Sequence, residues 1–205
     1  MQHHYGLYAC VPDDIVMAVK VIRSRLHDVL RKSTPDMVFC EAAEAAHFTV
    51  LYGPKLADGR KEALTPQEAR LVYPYAVGWP VNRVPTCFRG VSHFIRPGKI
   101  LIHLEFHNSE LTRLHETLRA HMPDVEADYS KWHQEFRFYD QSYAPNPKRW
   151  LHIAIGSIQD RDAKHLVLIE DTLRDLADEL IPSQFSIKAL QLISAVTDTP
   201  VSLDA

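Results

Sequence analysis

The sequence predicts an α+β fold of two pseudo-symmetric α/β lobes, each with an antiparallel-rich sheet, that face each other across a central cleft. The first observation is that the order strand, helix, histidine strand, helix, strand occurs twice, over about 4–96 and about 99–196. The second is that each copy places one histidine, His47 or His152, in an apolar strand. The third is length, because 205 residues are enough for one substantial core. We therefore expect a single bilobal domain over 1–205.

The first copy begins with an apolar, β-prone run at 5–11. Pro12 and two acidic residues then form a helix start. Apolar residues at helical spacing predict a helix over about 13–31, with a buried face made of Ile15, Val19, Ile22, Leu26 and Val29.

The rest of the first copy follows from its turn and cap residues. The β-branched segment 46–52 ends at Gly53-Pro54 and is predicted to be a strand. Thr65-Pro66 with Glu68 resembles a capped helix start, and 86–95 returns as a strand.

The second copy has the same order of elements. Strand 99–106 leads to the cap Asn108-Ser109, and strand 150–156 leads to a helix over about 162–180. A strand over 185–196 closes the copy. The helix that follows Asn108-Ser109 carries Leu111, Leu114 and Leu118 on one face. The helix over about 162–180 carries on one face Leu166, Ile169, Leu173, Leu176 and Leu180.

Composition restricts the possible partners and compartments. A net charge of −3 gives no electrostatic basis for binding long duplex nucleic acid. The chain shows no apolar run that could cross a membrane and no signal-peptide pattern, so we expect a cytoplasmic protein without a membrane partner. Three widely spaced cysteines are expected to be reduced, buried thiols: Cys10, Cys40 and Cys87.

The two strand histidines are the candidate catalytic residues. Because side chains alternate along a strand, His47 and Thr49 share one face, and His152 and Ala154 share another. Two imidazoles near neutral pH can divide proton transfer between a base and an acid. A threonine hydroxyl two residues on can donate to a phosphate oxygen. Phosphodiester cleavage through a ribose 2′ oxygen needs two imidazoles and such a hydroxyl, and it needs no metal. Either histidine could be the acid.

Other histidines fit the short pattern His-x-Ser/Thr without the same context. His107 lies at a helix start, and His115 lies inside a helix, where residues two apart do not share a face. His103 and His107 have i, i+4 spacing, but they lie at the end of a strand and lack a metal-binding partner motif. We interpret His103 and His107 as unrelated surface histidines.

His47-Phe48-Thr49-Val50 and His152-Ile153-Ala154-Ile155 resemble the two motifs of the 2H phosphoesterase superfamily, the LigT-like enzymes. The resemblance covers nearly the whole chain. It implies an enzyme that hydrolyses a 2′,3′-cyclic phosphate, a 2′-5′ linkage or a cyclic oligonucleotide, with no cofactor or metal. The following Tyr52 adds a likeness to phage anti-CBASS nucleases and is a candidate substrate-binding residue.

The second motif departs from the family at Ala154, where the family has Thr or Ser. Losing one hydrogen bond to a charged phosphate costs about 1.5–3 kcal/mol. Ser157 is expected to face away from His152 because it occupies an odd-numbered position of the strand. The alternative reading is therefore a nucleotide-binding or sequestering protein with a degenerate site. A backbone amide or a basic residue could instead hold the phosphate oxygen, and the basic candidates are Arg89, Arg96, Arg137 and Arg149.

The connection 122–149 is treated as an inserted loop. Its aromatic and basic residues could form a lid that stacks a nucleobase, or could cover the core as an ordinary structural loop. Further aromatic candidates for the cleft are Tyr5, Tyr8 and Trp79. The absence of a Gly-rich phosphate loop and of a GxSxG motif disfavours NTPase and serine hydrolase chemistry.

Overall fold

Two antiparallel sheets and four α-helices form the described part of the chain. The computed structural model describes residues 5–31, 37–39, 46–51, 66–96, 98–121 and 151–194. The fold is α+β, as the sequence predicts.

The predicted helices are present, but the one predicted over about 162–180 is a 3-10 helix up to His165 and an α-helix only from Leu166. They are α1 (Asp13–Leu30), α2 (Pro66–Gly78), α3 (Ser109–His121) and α4 (Leu166–Leu180), with a 3-10 helix at Asp160–His165. The predicted cap of α3 is confirmed, because the side-chain oxygen of Asn108 accepts the amide proton of Leu111 at 3.0 Å. The predicted burial of Val29 is wrong: it is 54% exposed, and Leu30 takes its place in the core.

The strands are β1 (Tyr5–Cys10), β2 (Val38–Phe39), β3 (His47–Leu51), β4 (Thr86–Arg96), β5 (Lys99–His107), β6 (Leu151–Gln159), β7 (Gln184–Phe185) and β8 (Ala189–Ser194). One sheet has the order β3-β1-β8, and the other has the order β2-β6-β5-β4-β7. All the pairings are antiparallel. The strand predicted over 185–196 is thus two strands in different sheets, because the chain crosses between the sheets at 186–188.

The last strand of each sequence repeat belongs to the sheet of the other repeat. β4 comes from the first repeat but pairs with β5, and β8 comes from the second repeat but pairs with β1. Each sheet consequently contains chain from both repeats. Neither sheet is therefore built from one repeat alone.

An aromatic cluster joins the two sheets. The ring of Phe48 in β3 lies 5.1 Å from that of Phe106 in β5 and 6.3 Å from that of Phe185 in β7. Phe48 is fully buried. His115 adds a polar link, because its Nδ1 lies 2.8 Å from the carbonyl oxygen of Val50. These contacts fix β3 against α3 and against the five-stranded sheet.

Candidate active site

His47 opens β3 and lies on the less buried face of its sheet. It is paired with Cys10 of β1, and Thr49 is paired with Tyr8. His47 and Thr49 are partly exposed, whereas Phe48 and Val50 are 0% and 2% exposed. The predicted alternation of this strand is therefore confirmed.

His152 occupies the matching kind of position in β6. His152 and Ala154 are partly exposed, whereas Ile153 and Ile155 are buried. The fold also brings the two histidine strands together, because β3 and β6 are in contact where the two sheets meet. Each of these two strands carries one histidine on its less buried face.

Polar groups line the face around His47. The ring of Tyr8 meets the imidazole of His47 edge-on, with 4.2 Å between ring centroids. The thiol of Cys10 donates to Oε1 of Gln191 at 3.1 Å. Burial raises the pKa of the Cys10 thiol, and the charge of Lys188 opposes that effect. Cys10 and Cys87 are reduced as expected, but both are only partly buried.

The prediction that His103 is a surface histidine is wrong. Its side chain is fully buried, and its ring centroid lies 5.2 Å from that of His152. β5 lies between β6 and β4 near the middle of its sheet, and residues on both faces of it are covered. His107, at the exposed end of the same strand, is a surface residue as predicted.

Glu105 is a site residue that the sequence reasoning missed. It is the cross-strand partner of His152 and is 3% exposed. Its Oε1 lies 3.3 Å from Nε2 of His103, and its carboxyl group is hydrogen-bonded to Ser92. The available signal was the alternation Ile102-His103-Leu104-Glu105, which puts two polar side chains on one face of an apolar strand.

Burial shifts both pKa values of this pair toward the neutral forms. The pKa of Glu105 is raised from 4.5 to about 7, chiefly by desolvation, although the hydrogen bond from Ser92 acts against it. The pKa of His103 is lowered from 6.5 to about 3, by desolvation first and by the neighbouring His93 second. His103 is therefore neutral at physiological pH, and Glu105 exchanges its proton close to neutrality.

The backbone carbonyl of Ala154 accepts a hydrogen bond from an arginine side chain. Arg23 of α1, another residue that the sequence reasoning missed, donates from a guanidinium nitrogen to the carbonyl oxygen of Ala154 at 2.6 Å. The guanidinium of Arg23 thus binds the backbone two residues along β6 from His152, and Arg23 is only 8% exposed.

The orientation predicted for Ser157 is wrong. Gly156 pairs with Ile102, but Ala154 pairs with His103, so β6 has one extra residue at this point. This bulge reverses the alternation and puts Ser157, opposite Leu101, on the face that carries His152. Their partners Glu105 and Leu101 are four residues apart on β5, which separates His152 from Ser157 by roughly 13 Å, so Ser157 does not replace the missing hydroxyl.

Some predicted residues lie outside the described residues. These are Tyr52, Cys40, Arg137, Arg149 and the whole connection 122–149. The side chains of Tyr5 and Arg96 also fall outside them, whereas Arg89 is exposed on β4. The indole nitrogen of Trp79 donates to the carbonyl oxygen of Glu110 at 3.1 Å, which fastens α2 to the start of α3.

Within the described ranges, no group of three or more His, Cys, Asp or Glu residues is placed to hold a metal ion. None of the helices in those ranges is long and apolar enough to cross a membrane. Neither a scan against protein-family models nor a search of curated proteins returns a match to this chain.

Proposed function

We propose that the protein is a metal-independent phosphodiesterase of the 2H type, acting on a nucleotide or RNA phosphodiester with His47 and His152 as its acid–base pair. The observation that carries the proposal is the contact of β3 with β6, each with one partly exposed histidine. The strand orders β3-β1-β8 and β6-β5-β4 also correspond element by element, which favours the pseudo-symmetric fold of that superfamily.

The reaction for a 2′,3′-cyclic phosphate needs only these groups and water. One imidazole takes a proton from water as the water oxygen bonds to phosphorus. The bond from phosphorus to one ribose oxygen breaks, and the other imidazole gives its proton to that oxygen. The products are a phosphomonoester and a free hydroxyl, and exchange with solvent restores both histidines. Thr49, on the face of His47, would donate to a non-bridging oxygen.

The net charge of the chain favours a small substrate over a long nucleic acid. The formal net charge of −3 argues against a long duplex. The chemistry fits RNA 2′,3′-cyclic ends, 2′-5′ linkages and cyclic oligonucleotides. We also propose a cytoplasmic location, which agrees with such substrates.

A hydrolysis screen in EDTA tests the proposal. The substrates are 2′,3′-cyclic mononucleotides, 2′-5′ oligoadenylate and a panel of cyclic dinucleotides, with His47→Ala and His152→Ala as test variants. His107→Ala is the matched control, because His107 has the same short motif but is an exposed residue at the end of β5. We expect turnover that survives chelation, is lost in both test variants and is kept in the control. Unchanged turnover in both test variants would overturn the mechanism.

Ala154 supports a second candidate, a protein that binds or sequesters a nucleotide without efficient turnover. Its methyl group stands on the partly exposed face where the 2H motif has a hydroxyl. Binding of one substrate without hydrolysis, followed by a gain of turnover in Ala154→Thr, would favour this candidate. An active wild-type protein would eliminate it.

A further inference from the structure

We propose that His115 is a positioning residue that fixes Thr49 of the first motif, because it holds the backbone carbonyl of the residue that follows Thr49. This inference rests on the function proposed above and assigns a role to a buried histidine that neither motif contains. His115 acts through the backbone of β3 and is not proposed to touch the substrate.

The first motif ends in a β-bulge. Residues 7 and 8 of β1 are consecutive, but their partners in β3 are residues 51 and 49. β3 therefore has one extra residue, Val50, directly after Thr49. A bulge bends its strand and changes the direction of the neighbouring side chains. The backbone conformation at Val50 thus helps to set the direction of the Thr49 side chain.

His115 of α3 holds this bulge through a buried hydrogen bond. Its Nδ1 donates to the carbonyl oxygen of Val50 at 2.8 Å, and the two residues are 1% and 2% exposed. β3 is the first strand in the order β3-β1-β8, so among the described strands β1 is its one hydrogen-bonded neighbour. With a ladder on one side only, the position of β3 depends strongly on buried bonds of this kind.

The second motif has the same arrangement. Its extra residue is Ile155, which is again the fourth residue of the motif. Nη2 of Arg23 donates to the carbonyl oxygen directly before it, that of Ala154. Arg23 lies on the first helix of the first repeat and His115 on the first helix of the second, so each repeat holds the motif strand of the other. This repetition favours a role at the motifs over an isolated packing contact.

The effect on the reaction passes through the hydroxyl of Thr49. Threonine is stiff at χ1, and the rotamers that it can adopt depend on the backbone dihedral angles. In the proposed reaction its hydroxyl donates to a charged phosphate, and such a bond is worth roughly 10–100-fold in rate. That gain depends on the position of the hydroxyl. Loss of the His115 bond should therefore remove the contribution of Thr49 and little else.

A double-mutant cycle between His115→Leu and Thr49→Val tests this coupling. We expect each single variant to lower kcat by roughly 10-fold or more. The double variant should match Thr49→Val within about twofold. His115→Asn keeps an N–H near the position of Nδ1 and should retain most of the turnover. Losses that multiply in the double variant would overturn the inference, because a merely structural role of His115 does not depend on Thr49.

Two further variants of α3 are the matched controls. Asn108→Ala weakens α3 from a buried site, where its side chain bonds to residues 84, 86 and 111. Glu116→Gln changes the exposed neighbour of His115. Both should keep wild-type turnover at a temperature where they are folded. If Asn108→Ala loses turnover as His115→Leu does, the loss reflects stability alone and the inference fails.

An NMR measurement without substrate separates this inference from the proposed function. Three-bond couplings of the γ2 methyl carbon report the χ1 rotamer of Thr49. We expect them to change in His115→Leu and to keep their wild-type values in His115→Asn and in both controls. Unchanged couplings in His115→Leu would refute the positioning role even if the motif histidines are catalytic. If the couplings change but the wild-type protein cleaves no phosphodiester, the proposed function fails and the positioning of Thr49 is supported.

Discussion

Glu105 makes the stability of this protein depend on pH in a direction opposite to that of an ordinary ion-paired carboxylate. Its pKa is about 7 in the folded chain, against 4.5 as the ordinary value. Below pH 4.5 both states bind the proton. Between pH 4.5 and 7 the unfolded chain releases it while the folded chain retains it, so stability falls as pH rises through this window. Above pH 7 the loss is complete.

The size of the effect follows from the same two values. Moving the pKa from 4.5 to about 7 corresponds to about 3 kcal/mol, at about 1.4 kcal/mol for each pH unit. The side chain is 3% exposed, so solvent screening takes little from this figure. Glu105→Gln removes the ionisation, and its stability relative to wild type should rise by about 3 kcal/mol between pH 4.5 and pH 8.5.

Urea unfolding at a series of pH values between 4 and 8.5 measures this difference. His103 titrates in both proteins with the opposite sign: its pKa is lowered to about 3, so it costs stability as pH falls below 6.5. Comparing the variant with wild type at each pH removes that contribution. Glu116→Gln should follow the wild-type curve throughout. If the gap between Glu105→Gln and wild type is the same at pH 4.5 and 8.5, the buried-carboxyl reasoning is refuted.

Three further changes test packing, capping and surface charge, each by urea unfolding at pH 7. Phe48→Ala should cost about 3–5 kcal/mol, because the ring is fully buried in the cluster that joins the sheets; a cost under about 1 kcal/mol would contradict that packing. Asn108→Ala should cost about 1–3 kcal/mol, since it removes the cap on Leu111 from a buried site, and an unchanged midpoint would show that the cap is replaced. Arg25→Ala should cost less than about 1 kcal/mol, because its ion pair with Glu179 is half exposed; a larger cost would assign this pair a structural role.

The motif strands could be read from the sequence because their information is local. The alternation of polar and apolar residues in 46–50 and 151–155 fixes which side chains leave the core, and the structure bears it out. The cap at Asn108 is equally local, since the side chain and the amide that it accepts from are three residues apart. Such features depend on periodicity and on short-range hydrogen bonds, and both can be recognised in the amino-acid sequence.

The surroundings of His152 could not be read in the same way. His103 looked like a surface histidine, since nothing in its own strand tells how many strands cover it. The orientation of Ser157 depended on a bulge that appears only in the register of β6 against β5. Arg23 lies 131 residues from the carbonyl that it binds. Each of these features depends on a contact between segments that are far apart in the sequence.

The sequence by itself determined the main helices, the two histidine strands and the face that each histidine occupies, because backbone periodicity dictates them. The tertiary structure alone decided that the last strands are exchanged between the sheets, and that β3 and β6 meet. It also decided that a buried carboxyl group and a neutral imidazole lie beside His152. Those outcomes depend on strand partners and on desolvation, and both are set only when segments far apart in the chain pack together.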